Sequence, residues 1–152
     1  MTDAEYMDEA LREAHEALAR GDWPVGSVIV RDGVVLARGQ NRQNTERDLT
    51  WHAEFDAMRR AVAEHGIETL AGATVYSTME PCPMCAGAMK LYGIARLVLG
   101  TRHATLQRTD LGTYSIETFC PLVGYDLTVI TGVREPECTA LRRRWGKDVV
   151  RS

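Results

Sequence analysis

Three side chains that can bind a transition metal stand in two short segments of this sequence. Trp51-His52-Ala53-Glu54 offers one imidazole, and Glu80-Pro81-Cys82-Pro83-Met84-Cys85 offers two thiols three residues apart. One imidazole with two thiolates is a ligand set that zinc accepts tetrahedrally, with the fourth position open to water. A CxxC pair at a helix start is also typical of thioredoxin-like redox sites. The histidine favours the metal, so we expect a zinc site at His52, Cys82 and Cys85.

Glu54 distinguishes a catalytic zinc site from a structural one. A structural site is closed by a fourth cysteine or histidine, and Cys120 and Cys138 lack the motif spacing to supply it. A carboxylate two residues from His52 can instead take a proton from a metal-activated water and pass it on. These residues therefore predict hydrolytic chemistry, and they argue against a zinc-stabilised scaffold domain without activity.

The chain resembles the cytidine-deaminase superfamily, in the branch that contains cytosine, guanine and tRNA-adenosine deaminases. Four segments match in order and spacing: Val25-Gly26 with the hairpin after it, Gly39-Gln40-Asn41, His52-Ala53-Glu54, and residues 80–88. The third and fourth of these contain the signature H-x-E…P-C-x-x-C of zinc deaminases.

The resemblance implies a role for each matching residue. It implies that His52, Cys82 and Cys85 bind Zn²⁺, that Glu54 shuttles protons, that Asn41 hydrogen-bonds the base, and that Val25 and the backbone of Ala53 contact the substrate. The reaction would be hydrolytic deamination, in which C–NH₂ and water give C=O and NH₃. The resemblance further implies a homodimer and no organic cofactor.

A free nucleobase of the cytosine type is the substrate that the flanking residues favour. Residues 91–100 are similar to the segment of fungal cytosine deaminases that follows the second cysteine. Trp145 and Asp148 resemble a Trp-x-x-Asp pair that in those enzymes closes over the small base. We therefore expect a small-molecule partner, cytosine foremost.

Two other substrate classes stay open. Residues 84–89 suit a tRNA adenosine deaminase, but residues 101–108 lack the Lys- and Gly-rich stretch usual in those enzymes. Nucleic acid is a partner under this alternative alone, and a net charge of −3 does not favour it. His103 instead suggests guanine or another amino-heterocycle, such as creatinine or a pterin.

Length and composition indicate one globular domain over residues 1–152. The chain is 45% apolar and 26% charged, and no apolar run approaches the roughly 18 residues of a membrane span. The acidic start lacks the basic and apolar regions of a signal peptide, and unpaired cysteines suit a reducing compartment. We therefore expect a cytoplasmic protein that contacts no membrane.

The periodicity of apolar residues predicts the elements that position the site. It predicts helices over 3–20, 52–65, 82–92 and 136–145, and strands over 25–30, 34–37, 74–78, 96–99 and 127–131. Residues 40–50 read as a loop, and 101–121 as one or two helical turns at most. Asp32-Gly33 between two β-rich runs predicts a hairpin. Strands and helices alternate after it, so we expect an α/β fold: a three-layer α/β/α sandwich around a five-stranded mixed sheet, as in cytidine deaminases.

Overall fold

A five-stranded sheet lies between two layers of helices in the computed structural model, which describes residues 1–145. The strands are β1 (Gly26–Arg31), β2 (Val34–Gln40), β3 (Thr74–Met79), β4 (Arg96–Thr101) and β5 (Thr128–Ile130). The helices are α1 (Asp3–Arg20), α2 (Gln43–Glu46), α3 (Ala53–His65), α4 (Pro83–Tyr92), α5 (Ile116–Leu122) and α6 (Glu135–Arg143), and a 3₁₀ turn covers Ile67–Leu70. Within residues 1–145 no helix is both long and apolar enough to cross a membrane.

The sheet is mixed, in the order β2-β1-β3-β4-β5. β1 and β2 form the predicted hairpin, whose turn residues Asp32 and Gly33 have φ of 50° and 75°. β1 also pairs antiparallel with β3, whereas β3, β4 and β5 run parallel to one another. The parallel half places the carboxyl ends of β3 and β4 at one edge of the sheet, next to the start of α4.

Successive residues of each central strand contact opposite helical layers. Val28 and Val98 pack with α1 and α6, whereas their neighbours Ile29 and Leu97 pack with α3, α4 and α5. This alternation follows from the two-residue period of a strand, and it places a core on each face of the sheet. The predicted three-layer α/β/α sandwich is thereby confirmed, while the extent of the domain over residues 1–152 stays a prediction.

The one-turn helix α2 lies inside the stretch that the sequence predicts to be a loop. The carboxylate of Asp22 accepts hydrogen bonds from the backbone N–H groups of Asn44 and Thr45, each at 2.9 Å. Asp22 also accepts from the Thr45 hydroxyl at 2.5 Å. The capping group therefore comes from more than twenty residues upstream, so a local reading of the sequence does not detect this turn.

Gly39 lets the end of β2 touch the first turn of α3. A Cβ at this position would lie 2.4 Å from the Ala53 carbonyl oxygen and 2.4 Å from the Ala57 nitrogen. Only a residue without a side chain allows this contact. The approach fixes the start of α3, where His52 and Glu54 lie, against the sheet.

Candidate active site

Two helix N-termini meet at the candidate metal site. His52 is the N-cap of α3 and Cys82 is the N-cap of α4, where Pro83 follows at the first helical position. Cys85 lies in the first turn of α4 and is fully buried. The positive end of a helix dipole favours thiolates, so this placement suits the two cysteines as metal ligands.

The three predicted ligands converge on one point. The Nδ1 atom of His52 lies 3.4 Å from the Cys82 Sγ and 3.6 Å from the Cys85 Sγ. Ideal Zn–S and Zn–N bonds at a tetrahedral angle separate sulfur from nitrogen by roughly 3.6 Å. In the described chain the cluster of possible ligands around this point has these three members. The donor set therefore fits zinc with a fourth position for water.

The protonation of the cluster already favours metal binding. The hydrogen bond with Cys85 lowers the pKa of Cys82 to about 4, and the neighbouring His52 adds to the effect. The same hydrogen bond, together with burial, raises the pKa of Cys85 well above its usual range. One thiol is thus poised as a thiolate, and the second must lose its proton when a metal binds.

Glu54 is a buried carboxyl group beside this cluster. It is 4% exposed, and burial raises its pKa to about 7, although the charge of His52 opposes that shift. Ser77, whose hydroxyl donates to the Met79 carbonyl oxygen at 2.7 Å, also opposes this rise of the Glu54 pKa. A carboxyl with this pKa can both accept and donate a proton near neutral pH, which is what general acid–base chemistry requires.

Asn41 is held in place by its neighbour Gln43. The Asn41 side-chain amide donates to Gln43 Oε1 at 2.6 Å, and its Oδ1 accepts from the Gln43 backbone N–H at 3.0 Å. The preceding residue is also fixed, because the Gln40 N–H donates to the Asp56 carboxylate of α3 at 2.9 Å. An amide has two N–H groups, so Asn41 keeps a second donor for a ligand.

A cavity of about 250 Å³ opens beside the metal cluster. Its lining includes predicted substrate contacts as well as residues that the sequence did not suggest: Trp23, Val25, Asn41, Gln43, His52, Ala53, Glu54, Met79, Glu80, Cys82, Pro83, Met84, His103, Arg108 and Leu111. Pockets for drug-sized ligands hold roughly 300–1,000 Å³, so this one suits a single heterocyclic base.

His103 faces the cavity with a buried imidazole. It is 4% exposed, and neither ring nitrogen has a hydrogen-bond partner in the part of the chain that the structure describes. Burial lowers its pKa, so at neutral pH the ring carries one donor and one acceptor. Its backbone N–H donates to Glu80 Oε1 at 3.1 Å, which ties the loop after β4 to the motif of Cys82.

The two predicted substrate contacts near the C-terminus are Trp145 and Asp148. Trp145 packs behind the cavity wall, with its ring centroid 5.5 Å from that of Trp23, a lining residue. The sequence predicts that Trp145 contacts the substrate, whereas the structure places it against Trp23 and outside the cavity lining. Asp148 lies outside the described residues.

Several residues that line the cavity could not be predicted from the sequence. Trp23 immediately precedes the Pro24-Val25 segment, and its position beside a matching motif is the one signal that could have found it. Glu80 stands inside the cysteine motif, but its role as an anchor for the loop of His103 needs the fold. Arg108 comes from the stretch that is hardest to interpret, so no local pattern indicates it.

The comparisons with known proteins agree with this geometry. Residues 1–101 match the model of the cytidine and deoxycytidylate deaminase zinc-binding region. A tRNA-specific adenosine deaminase of Bacillus subtilis (strain 168) is 37% identical over 90% of this chain and 83% of its own length. One of Agrobacterium fabrum is 35% identical over 94% of this chain and 93% of its own length. A structure solved in a study of A-to-I editing by tRNA:A34 deaminases has a TM-score of 0.79 and 36% identity, covering 90% of this chain and 98% of its own.

These relatives show that the expected free cytosine substrate is wrong. Both curated relatives bear the name of the alternative, the tRNA-specific adenosine deaminase. The segment that suggested cytosine ends α4, where Gly93 is the C-cap with φ of 80° and Ile94 is 1% exposed in the core. It packs the helix end against the sheet, and none of residues 91–100 lines the cavity.

The superfamily resemblance, the fold and the zinc cofactor are confirmed by the same comparisons. The matched family is a zinc-binding one, and the donor set of His52, Cys82 and Cys85 suits that metal. The model covers two-thirds of the sequence and includes all three of these residues together with Glu54. The chain therefore belongs to the cytidine and deoxycytidylate deaminase zinc-binding family.

Proposed function

We propose that this protein is a zinc-dependent adenosine deaminase that acts on adenosine within tRNA. The observation that carries the proposal is the 37% identity to a tRNA-specific adenosine deaminase over 90% of the chain. The structural neighbour from the study of wobble-position editing supports it, because its match extends over 98% of that chain. The small cavity also suits a base that is flipped out of a polynucleotide.

The ligands in this proposal are His52, Cys82 and Cys85. When bound, zinc supplies an activated water for attack on the ring carbon that bears the amino group. Glu54 would accept the two protons of that water in turn and deliver one to the ring nitrogen and the other to the departing amine. The sum is C–NH₂ plus water to C=O plus NH₃, so the product base is hypoxanthine.

The remaining contacts orient the base. Asn41 donates its second amide N–H to the ring, and Val25 packs against it. The Ala53 backbone N–H stands at the first position of α3, where the helix itself offers it no acceptor, and Ala53 lines the cavity, so this N–H is a donor for the substrate. His103 supplies one further donor and one acceptor from the lining of the cavity.

The test is the conversion of adenosine to inosine in a synthetic tRNA anticodon stem-loop, followed by nuclease digestion and mass spectrometry. Ammonia release from free cytosine, guanine and adenosine is measured in parallel, and the Glu54→Gln variant controls for a contaminating activity. We expect inosine from the wild type alone and little ammonia from the free bases. Turnover of a free base without inosine in the stem-loop would refute the proposal.

We also propose that the chain forms a homodimer, as the resemblance to the superfamily implies. Large apolar side chains stand in solvent, with Leu91 of α4 87% exposed and Leu49 75% exposed. An interface would remove this apolar surface from water. Light scattering coupled to size-exclusion chromatography tests this, and a monomer mass at micromolar concentration would contradict it.

A further inference from the structure

Two side-chain amides lie next to each other in the wall of the cavity. Asn41 and Gln43 are 3% and 5% exposed, and both line the cavity. The backbone N–H of Gln43 donates to Asn41 Oδ1 at 3.0 Å. Because a backbone N–H can only donate, this contact determines which end of the Asn41 amide is the oxygen and which is the nitrogen.

The orientation of the Asn41 amide in turn determines that of the Gln43 amide. Asn41 Nδ2 faces the Gln43 side chain at 2.6 Å, and a nitrogen donor requires an oxygen there. Gln43 therefore presents Oε1 to Asn41 and keeps Nε2 for another partner. Among residues 1–145 no acceptor is hydrogen-bonded to Nε2, and this atom is not one of the unpartnered atoms that are shielded from solvent. Since Gln43 lines the cavity, its two N–H groups are available to a ligand there.

The backbone around the two amides is fixed. Arg20 donates to the Asn41 carbonyl oxygen at 2.9 Å, and the Asn41 N–H donates to the Val25 carbonyl oxygen at 3.2 Å. Asp22 is fully buried, and it holds the short helix α2, which begins with Gln43, through the hydrogen bonds described above. Binding a ligand therefore costs the two amides little conformational freedom, as in a preorganised site.

The hydrogen-bonding groups of this wall complement an adenosine. Asn41 offers one free N–H and Gln43 offers two, whereas both amide oxygens already accept a hydrogen bond within the pair. When the amino-bearing carbon of adenosine faces the metal site and the ring nitrogen beside it faces Glu54, the remaining ring nitrogens N3 and N7 are both acceptors. The ribose 2′-oxygen, close to N3, can accept as well. Donors on the protein thus meet acceptors on the nucleotide.

We propose that Gln43 is a specificity-determining residue whose Nε2 donates a hydrogen bond to an acceptor of the target nucleotide, beside the contact made by Asn41. The inference rests on the proposed function, because it places an adenosine in the cavity. The acceptor is N3, N7 or the ribose 2′-oxygen. A site built to hydrogen-bond a substrate group discriminates strongly against an analogue without that group, because the buried polar group of the protein is then left unpaired.

Two substitutions of Gln43 separate this donor from the support that Gln43 gives to Asn41. Gln43→Glu keeps an oxygen for the Asn41 amide and replaces the Nε2 donor by a second oxygen, which repels an acceptor. Gln43→Met has a similar length and removes both functions. Asn44→Asp is the matched control for charge, because it adds the same negative charge at the next, exposed residue of α2. Zinc content and thermal unfolding are measured for every variant.

The first measurement is kcat/KM for inosine formation in the stem-loop, at a mildly alkaline pH that ionises the new carboxyl group. We expect Gln43→Glu to lose about tenfold or more, because a buried acceptor of the substrate then faces an oxygen. Gln43→Met should lose at least as much, since the Asn41 amide also loses its acceptor. Asn44→Asp should stay within about threefold of the wild type, as an exposed charge has a small effect.

The second measurement identifies the acceptor. Stem-loops that carry 3-deazaadenosine, 7-deazaadenosine or 2′-deoxyadenosine at the target position compete with the adenosine stem-loop, and their inhibition constants are compared between wild type and Gln43→Glu. We expect the analogue without the acceptor to bind both proteins equally, once the effect of Asn44→Asp is subtracted. The other two analogues should keep the difference. A deaza analogue with this behaviour assigns a ring nitrogen, and the deoxy analogue assigns the ribose oxygen.

Three results would overturn the proposal. A normal kcat/KM in Gln43→Glu together with a loss in Gln43→Met would show that Gln43 only holds Asn41. Equal losses in Gln43→Glu and Asn44→Asp would show a general effect of charge. A difference that persists with all three analogues would show that Nε2 contacts none of these acceptors. If Gln43→Glu does not fold, the comparison of analogues is made with Gln43→Met.

Failure of the proposed function gives a different pattern of results. If the wild type forms no inosine but releases ammonia from a free base, the proposed function is rejected and the variants are compared on that base. A loss in Gln43→Glu that Asn44→Asp lacks then retains Gln43 as a donor to the base, and the absence of this loss rejects it. Inosine formation at equal rates in wild type and both Gln43 variants retains the function and rejects the role of Gln43. A wild type that deaminates neither RNA nor a free base rejects both.

Discussion

Replacing Glu80 by glutamine should show whether Glu80 anchors the active-site loop from a buried position or stabilises the protein only as much as an ordinary surface ion pair would. Glu80 is 3% exposed, and its two oxygens accept from the backbone N–H groups of His103 at 3.1 Å and Ile116 at 2.8 Å. Its carboxylate also lies 3.5 Å from the Arg102 guanidinium. Glutamine retains one acceptor oxygen, so one of the two buried N–H groups loses its partner.

The magnitude follows from these contacts. A buried donor left unpaired costs about 1–3 kcal/mol. The charge lost beside Arg102 adds about 1 kcal/mol, because that arginine is partly solvated. The free energy of unfolding should thus fall by about 2–4 kcal/mol, which lowers the midpoint of thermal unfolding by about 4–16 °C in a domain of this size. Displacement of His103 should also raise the KM for substrate.

Glu117 provides the matched control, because it contacts the same arginine. Its side chain is 50% exposed, and a surface ion pair contributes about 1 kcal/mol at most. Urea titrations of zinc-loaded Glu80→Gln and Glu117→Gln, with zinc content measured alongside, give the two free energies under identical conditions. Equal losses in the two variants would refute the assignment of Glu80 as a buried loop anchor.

Three further predictions concern the metal, the proton shuttle and the packing of α3. The purified protein should carry about one zinc per chain, and His52→Ala should lower bound zinc and stability together because ligation and folding are coupled. Glu54→Gln should retain zinc and fold but lose about 10²–10⁴-fold in kcat, whereas near-normal turnover would assign it a structural role. Gly39→Ala should destabilise the protein by about 1–3 kcal/mol, because its Cβ would lie 2.4 Å from the Ala53 carbonyl oxygen. Gly87→Ala has open space in α4 and should stabilise by about 0.5–1 kcal/mol, so chemical denaturation that gives both variants the same sign would contradict the packing argument.

The elements that local sequence determines were predictable. Thr2 and Glu5 form the expected capping box of α1, and Gly21 ends that helix with φ of 98°. The hairpin and the helices that carry His52 and Cys82 also follow from short-range periodicity. α2 did not follow, since its cap is Asp22, and α5 begins only where Ser115 caps a stretch without clear periodicity.

The metal site could be predicted because its geometry comes from two helix starts. The spacing of Cys82 and Cys85 within one helical turn determines their relative positions, and a histidine before a second helix needs only to meet them. Two short segments thus supply the metal ligands and the proton shuttle. The sequence signal is strong because a wrong residue at any of these positions removes a ligand or the proton shuttle.

The substrate could not be predicted in the same way, because the cavity wall is assembled over long range. Trp23 precedes β1, Asn41 follows β2, and His103 and Arg108 follow β4. A net charge of −3 argued against nucleic acid, yet the fold places Arg108 in the lining of the cavity. Net charge averages over the whole surface, whereas binding of a phosphate depends on the few charges within a Debye length, about 8 Å at physiological salt. Substrate preference in this fold is therefore to be sought in the residues around the cavity rim, which the shared motif leaves free to vary.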